Sequence, residues 1–108
     1  MLNQTVLVGR LVRDPELFET EKGSKVTRVT LAVPRTYKNV NGEYDTDFIN
    51  CKLWKGVAEN TAEYCKRGDL VGVKGRLQSG SYENEQGTQY YTEVVAEKVT
   101  FLTSKNKS

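Results

Sequence analysis

From Tyr44 to Lys55 the chain reads Tyr-Asp-Thr-Asp-Phe-Ile-Asn-Cys-Lys-Leu-Trp-Lys. The two-residue period of a strand puts Ile49, Cys51 and Leu53 on one face and Phe48, Asn50, Lys52 and Trp54 on the other. The first is a core face. The second suits a core poorly, because burying its aromatics would desolvate the Lys52 charge beside them. Lys25–Arg35 alternates likewise, with Val29, Leu31 and Val33 against Arg28, Thr30 and Ala32. In Asp69–Gly80 the inward set is Val71, Val73 and Leu77 and the outward set Lys74, Arg76 and Gln78. An unbroken continuation of this strand gives Tyr82 the side of Arg76. Leu2–Val12, β-branched and apolar, is a further strand in which Gly9 marks a bulge or a close backbone approach. Thr88–Leu102, rich in tyrosine, valine and threonine, is the last.

Pro15 ends the first strand and Pro34 the second. Lys22-Gly23-Ser24 is a turn, and Glu83–Gly87 is a polar hairpin loop. Thr36–Glu43 is a polar loop with the hairpin signal Asn41-Gly42, and it carries Tyr37 between Arg35 and Lys38. Only over Gly56–Lys66 does the period change. Val57, Ala58, Thr61, Ala62 and Cys65 recur at helical spacing, with Lys66 and Arg67 at the C-terminal end and Gly68 as a left-handed cap. The order strand, strand, strand, helix, strand, strand predicts an all-β protein with one short helix. It is the order of the five-stranded Greek-key OB-fold barrel, with its helix between strands 3 and 4. That barrel binds oligonucleotides through its second and third strands and long loops.

A length of 108 residues with 37% hydrophobic positions fits one domain with a modest core, here 1–103, followed by a polar tail, 104–108, expected to fray. The net charge of +2 argues little for a polyanionic partner, so the placement of the cations has to carry that argument. Met1–Val12 contains Asn3, Gln4 and Arg10 with no basic leader, which reads as neither a signal peptide nor a membrane span. A cytoplasmic, nucleoid-associated location is the expectation. Cys51 and Cys65 fall at apolar positions and read as small buried hydrophobes. With no histidine in the sequence, the commonest general base and metal ligand is missing, and neither a metal nor a cofactor is expected. No phosphate-cradling glycine loop or nucleophile elbow occurs either, so an enzyme is not expected.

Aromatic rings interleaved with lysine suit a partner with flat π-faces and negative charge, which single-stranded nucleic acid offers at about 1–3 kcal/mol per stacked base. The competing reading is a face covered by another subunit.

The chain resembles bacterial single-stranded DNA-binding proteins of the homotetrameric type over nearly its whole length. The resemblance runs through Val8-Gly9-Arg10-Leu11, Asp14-Pro15-Glu16, Leu31-Ala32-Val33 with Arg35, and Asp47-Phe48-Ile49-Asn50-Cys51. It continues through Tyr64-Cys65-Lys66-Arg67-Gly68, Val73-Lys74-Gly75-Arg76-Leu77, Tyr82-Glu83 and Thr92-Glu93-Val94. It implies stacking of bases on Tyr37, Phe48, Trp54 and Tyr82, and a homotetramer with the N-terminal strand as a contact. Candidate phosphate contacts are Arg10, Arg28, Arg35, Lys38, Lys52, Lys55, Lys74 and Arg76.

Near Tyr82, where the family often carries cations, this sequence has Gln78, Gly80 and Ser81. Longer members continue into an acidic tip that recruits replication and repair proteins. This sequence stops at Lys105-Asn106-Lys107-Ser108, so recruitment through a tail is not expected.

The reading is therefore sequence-tolerant binding of single-stranded DNA in replication, recombination, repair or DNA uptake. The alternative is an oligomeric interaction module of the replication machinery that binds nucleic acid weakly. A third, an OB-fold nuclease, lacks a converging set among Asp14, Glu16, Glu43, Asp45 and Asp47.

Overall fold

The computed structural model describes residues 1–103, so the expected fraying of 104–108 lies outside the described residues. The elements are β1 (Thr5–Leu11), β2 (Phe18–Glu19), β3 (Lys25–Lys38), β4 (Tyr44–Trp54), α1 (Lys55–Tyr64), β5 (Leu70–Asn84) and β6 (Gly87–Phe101). β1 pairs antiparallel with β5 along Thr5–Arg10, and through Arg10 and Leu11 with β3. This double engagement closes the ring β1-β3-β4-β6-β5, in which β4 and β6 run parallel. The result is the expected OB-fold barrel, with α1 between its third and fourth strands; β2 adds a short edge to β3 outside the ring.

Closure explains Gly9. A Cβ there would stand 2.7 Å from the Ala32 carbonyl oxygen, so the close approach read from the sequence is where β1 meets β3. The interior is filled by the predicted inward sets: Val29 and Leu31 of β3, Cys51 and Leu53 of β4, Val71 and Val73 of β5, with Leu11, Val94 and Ala96. The helix lays Ala58 and Thr61 against β3, β4 and β6. Burial first, and the nearby Glu93 carboxylate second, push the Cys51 thiol up to about 12. The neutral thiol is thus favoured in the folded state, and Cys51 should resist a thiol reagent at pH 8 until denaturant unfolds the chain, as a time course of labelling with and without urea will show.

Several boundaries differ from the sequence reading. β1 starts at Thr5 rather than Leu2, because the Asn3 side chain takes over the pairing: its Nδ2 donates to the Leu77 carbonyl and its Oδ1 accepts from the Leu77 amide, both at 2.9 Å. β3 does not stop at Pro34. A register irregularity between Pro34 and Lys38 accommodates the proline and lets pairing resume at Lys38 with Tyr44. The helix ends at Tyr64, two residues early, and Cys65 is already extended. The Asp69 carboxylate accepts from the Lys66 amide at 2.9 Å while the Asp69 amide donates to the Lys66 carbonyl at 3.0 Å. A side chain that competes for a backbone amide in this way favours a turn over another helical turn. Gly68, left-handed at φ 90°, serves that turn and does not cap the helix.

The largest correction concerns Leu77, which is 51% exposed although its parity is that of Val73. β6 inserts Glu97 between the partners of Lys74 and Gly75, and a bulge of this kind bends the ladder. β5 has no β1 partner past Gly75, and β6 pairs with β4 only at Val94 and Val95, so beyond the Leu77–Val94 rung the two strands leave the barrel wall as an arm that runs to the turn at Asn84–Gly87, and Leu77 stands at the rim of the core.

Candidate nucleic-acid interface

Residues opposite one another in a ladder share a face, so the register defines the outer surface of β3 and β4. Val26 pairs with Trp54, Arg28 with Lys52, Thr30 with Asn50 and Ala32 with Phe48. The aromatics stand at the two ends: Phe48, 65% exposed, and the half-buried Trp54 are separated by about 20 Å of strand. Phe18, unremarked in the sequence reading, pairs with Val26 and so extends the Trp54 row by one strand. It is 59% exposed. The apolar pair Leu17-Phe18 is too short for periodicity to assign it a face.

Between the aromatics runs a row of cations. Arg28 lies opposite Lys52, Lys52 opposite Val95, and Val95 opposite Arg76. The row crosses β3, β4, β6 and β5 in turn, and on β4 it stands two residues from Trp54 and four from Phe48. Lys52 Nζ lies 4.7 Å from the centroid of the Trp54 ring, a cation–π contact that keeps the ammonium beside the ring. Arg28 Nε approaches the Glu93 carboxylate at 3.6 Å; Glu93 is almost fully buried and Arg28 is not. One charge of the row is thereby partly answered from below.

The arm returns over this face. Tyr82 on β5 and Tyr91 on β6 have ring centroids 6.3 Å apart, and between them and the barrel lies a groove of about 520 Å³ lined by Arg13, Arg28, Thr30, Asn50, Tyr82 and Tyr91. Parity had put Tyr82 on the side of Arg76, and Tyr82 does line the groove with Arg28.

The other expected residues are spread more widely. Tyr37 and Lys38 belong to the far end of β3 instead of a loop, and Lys38 Nζ stands 5.8 Å from the Tyr44 ring centroid. Lys55 opens α1 with a left-handed backbone, φ 56°, directly after Trp54. Arg10 shares the row of Ala32 and Phe48 around the barrel, but its guanidinium donates to the Gly68 carbonyl at 3.0 Å. Lys74 lies between Val6 and Lys98 on the wall formed by β1, β5 and β6, away from the aromatic rows.

Arg35 is committed elsewhere. It donates to Asp47 at 2.8 to 3.2 Å and lies 3.7 Å from Asp45, and Asp47 has the parity of Ile49 and Cys51, opposite to that of Phe48. The hydrogen bonds from Arg35 hold the Asp47 carboxyl below the usual carboxylate range, and the same contacts raise the arginine. A depressed carboxylate keeps its ion pair at and above the usual range and loses it only as the pH falls through the lowered value. Arg35→Gln should therefore leave the salt dependence of oligo-dT binding unchanged, whereas Lys52→Gln should lower its slope by about 0.7; titrations at several salt concentrations separate the two.

Among the described residues no group of His, Cys, Asp and Glu is placed to hold a metal ion, and no helix is long and apolar enough to cross a membrane. The model of the Single-strand binding protein family matches residues 2–102. The chain belongs to this family. It is 55% identical over 106 residues to single-stranded DNA-binding protein B of Bacillus subtilis, covering 97% of this chain and 94% of that protein. It is also 55% identical over 107 residues to protein A of the same organism, covering 98% of this chain but 62% of that relative. Against a single-stranded DNA-binding protein of Staphylococcus aureus the identity is 52% over 109 residues, covering 70% of that protein. The family assignment agrees with the OB-fold barrel reached independently from the order of strands.

Proposed function

We propose that the chain, acting as one domain over 1–103, binds single-stranded DNA without base selectivity and without catalysis. The observation that carries this reading is the register-defined cation row, Arg28, Lys52 and Arg76, set between the outward-facing rings of Phe48 and Trp54. Phosphates follow the row while bases stack on Phe48, Trp54, Tyr82 and, beyond the irregularity in β3, Tyr37. Lys38 and Lys55 flank the aromatics and serve the same backbone. Protection of exposed strands in replication, recombination, repair or DNA uptake, in the cytoplasm beside the nucleoid, is the role that fits such binding.

A homotetramer fits a second surface. Val6, 69% exposed, and Val8 face outward from β1. Over Thr5–Gly9 β1 is paired only with β5. Exposed valines beside an unpaired strand edge favour association of copies. Four copies, each carrying +2, would offset the low charge of one. Sedimentation should give a tetramer at micromolar concentration; a monomer there overturns this part.

Trp54 is the single tryptophan, so its fluorescence reports on the face directly. Oligo-dT should quench it strongly and a duplex of equal length only weakly. No change with either would make the face a protein contact and the oligomeric interaction module the better reading.

A further inference from the structure

The sequence reading treated Gln78, Gly80 and Ser81 as a place where cations are lost, and the structure shows what stands there instead. Tyr91 pairs with Gly80 across the arm. A Cβ at position 80 would lie 2.3 Å from Tyr91 Oη and 2.4 Å from Cζ, so the tyrosine ring lies across the β5 backbone in the space a side chain would fill. Glycine here is a seat. From it the Tyr91 ring reaches Tyr82, two residues along, at 6.3 Å between centroids and 34° between planes. Its neighbour Tyr90 points to the opposite side of the ladder, as alternation requires; Tyr91 is 39% exposed, Tyr90 80%, and only Tyr91 lines the groove.

The rest of the groove supplies what a nucleotide needs besides a ring. The opposite wall is polar, with Thr30 Oγ1 and Asn50 Oδ1 2.8 Å apart, able to meet a base edge. Of the two arginines, Arg28 is partly answered by Glu93. Arg13 is exposed, and it borders both this groove and the adjoining one lined by Phe18, Val26 and Thr27 together with the carboxylates Asp14 and Glu16.

We propose that this groove is a nucleotide subsite in which the paired rings of Tyr82 and Tyr91 take a base, Arg13 takes its phosphate, and Gly80 stays small to seat the Tyr91 ring. The subsite rests on single-stranded DNA as the ligand. It places a second ring where one tyrosine was expected and leads the strand from the arm toward Phe18.

Trp54 quenching of the unaltered protein by oligo-dT comes first, because its failure overturns the DNA reading itself. With quenching present, Tyr91→Ala should weaken binding about fivefold or more with an unchanged salt slope, Tyr91→Phe should restore it, and Arg13→Gln should lower the slope by about 0.7. Gly80→Ala should also weaken binding although Tyr91 is retained, an outcome that only the seat predicts. Photocrosslinking of the unaltered protein to iodouracil-substituted oligo-dT, read by mass spectrometry, should give adducts at Tyr91 and does not depend on any variant folding. Quenching in the parent with full affinity in folded Tyr91→Ala, or crosslinks at Phe48 and Trp54 but none at Tyr91, overturns the subsite and leaves the DNA reading standing.

Discussion

Gly75→Ala is expected to destabilise the protein by about 3 kcal/mol or more, a large share of the total for a domain of this size. The methyl group would arrive 2.1 Å from the Val95 carbonyl oxygen, 2.9 Å from its carbon and 3.0 Å from the Ala96 Cα. All three are backbone atoms, so no rotamer change relieves the overlap; β5 and β6 themselves must part, beside the bulge in the barrel wall. Gly72→Ala is the control. On the same strand, its added carbon would meet nothing nearer than Leu102 Cδ1 at 3.7 Å, an ordinary contact. Urea unfolding should show a midpoint far below the parent for Gly75→Ala and one close to it for Gly72→Ala. Equal midpoints would mean that the strands part at little cost.

Trp54→Ala is expected to weaken binding of oligo-dT by about 1–3 kcal/mol while leaving the fold nearly intact. The ring lies at the end of β4 outside the core cluster, with Val26 opposite it. Its removal takes away a stacking surface and also the partner that holds the Lys52 ammonium in place. Because the substitution removes the intrinsic reporter, the measurement is fluorescence anisotropy of a labelled oligonucleotide. Trp54→Phe should recover most of the loss. The number of ions released should stay as in the parent, since no phosphate contact has been deleted. Affinity equal to the parent in a folded Trp54→Ala protein would remove this ring from the binding face.

The faces of β3 and β4 were legible in the sequence because parity is local: once a stretch is a strand, the side of Trp54 follows from that of Phe48. What parity cannot supply is the layer on the other side. Leu77 has the parity of Val73 yet stands exposed at the rim of the core, because the reach of β1 and β4, on other parts of the chain, decides where the wall ends. The commitment of Arg35 is another long-range fact; Asp47 reaches it across the hairpin from twelve residues away. Phe18 and Tyr91 were missed for related reasons. The first sits in a strand of two residues, and the second is one of two adjacent tyrosines whose sides depend on the ladder with β5. The helix was found by its period, but its end was set by the Asp69 carboxylate, which no period reports.

The arm beyond Leu77 is a ladder without an interior, so its length is not tied to the volume of any core. It is tied to counting. Two residues added to each strand would carry the tip outward by about 7 Å and keep every ring on its present side, whereas one residue added to each would turn Tyr82 and Tyr91 away from the groove. The arm is in this sense a ruler marked in pairs, and changes in reach that preserve the groove come in even steps.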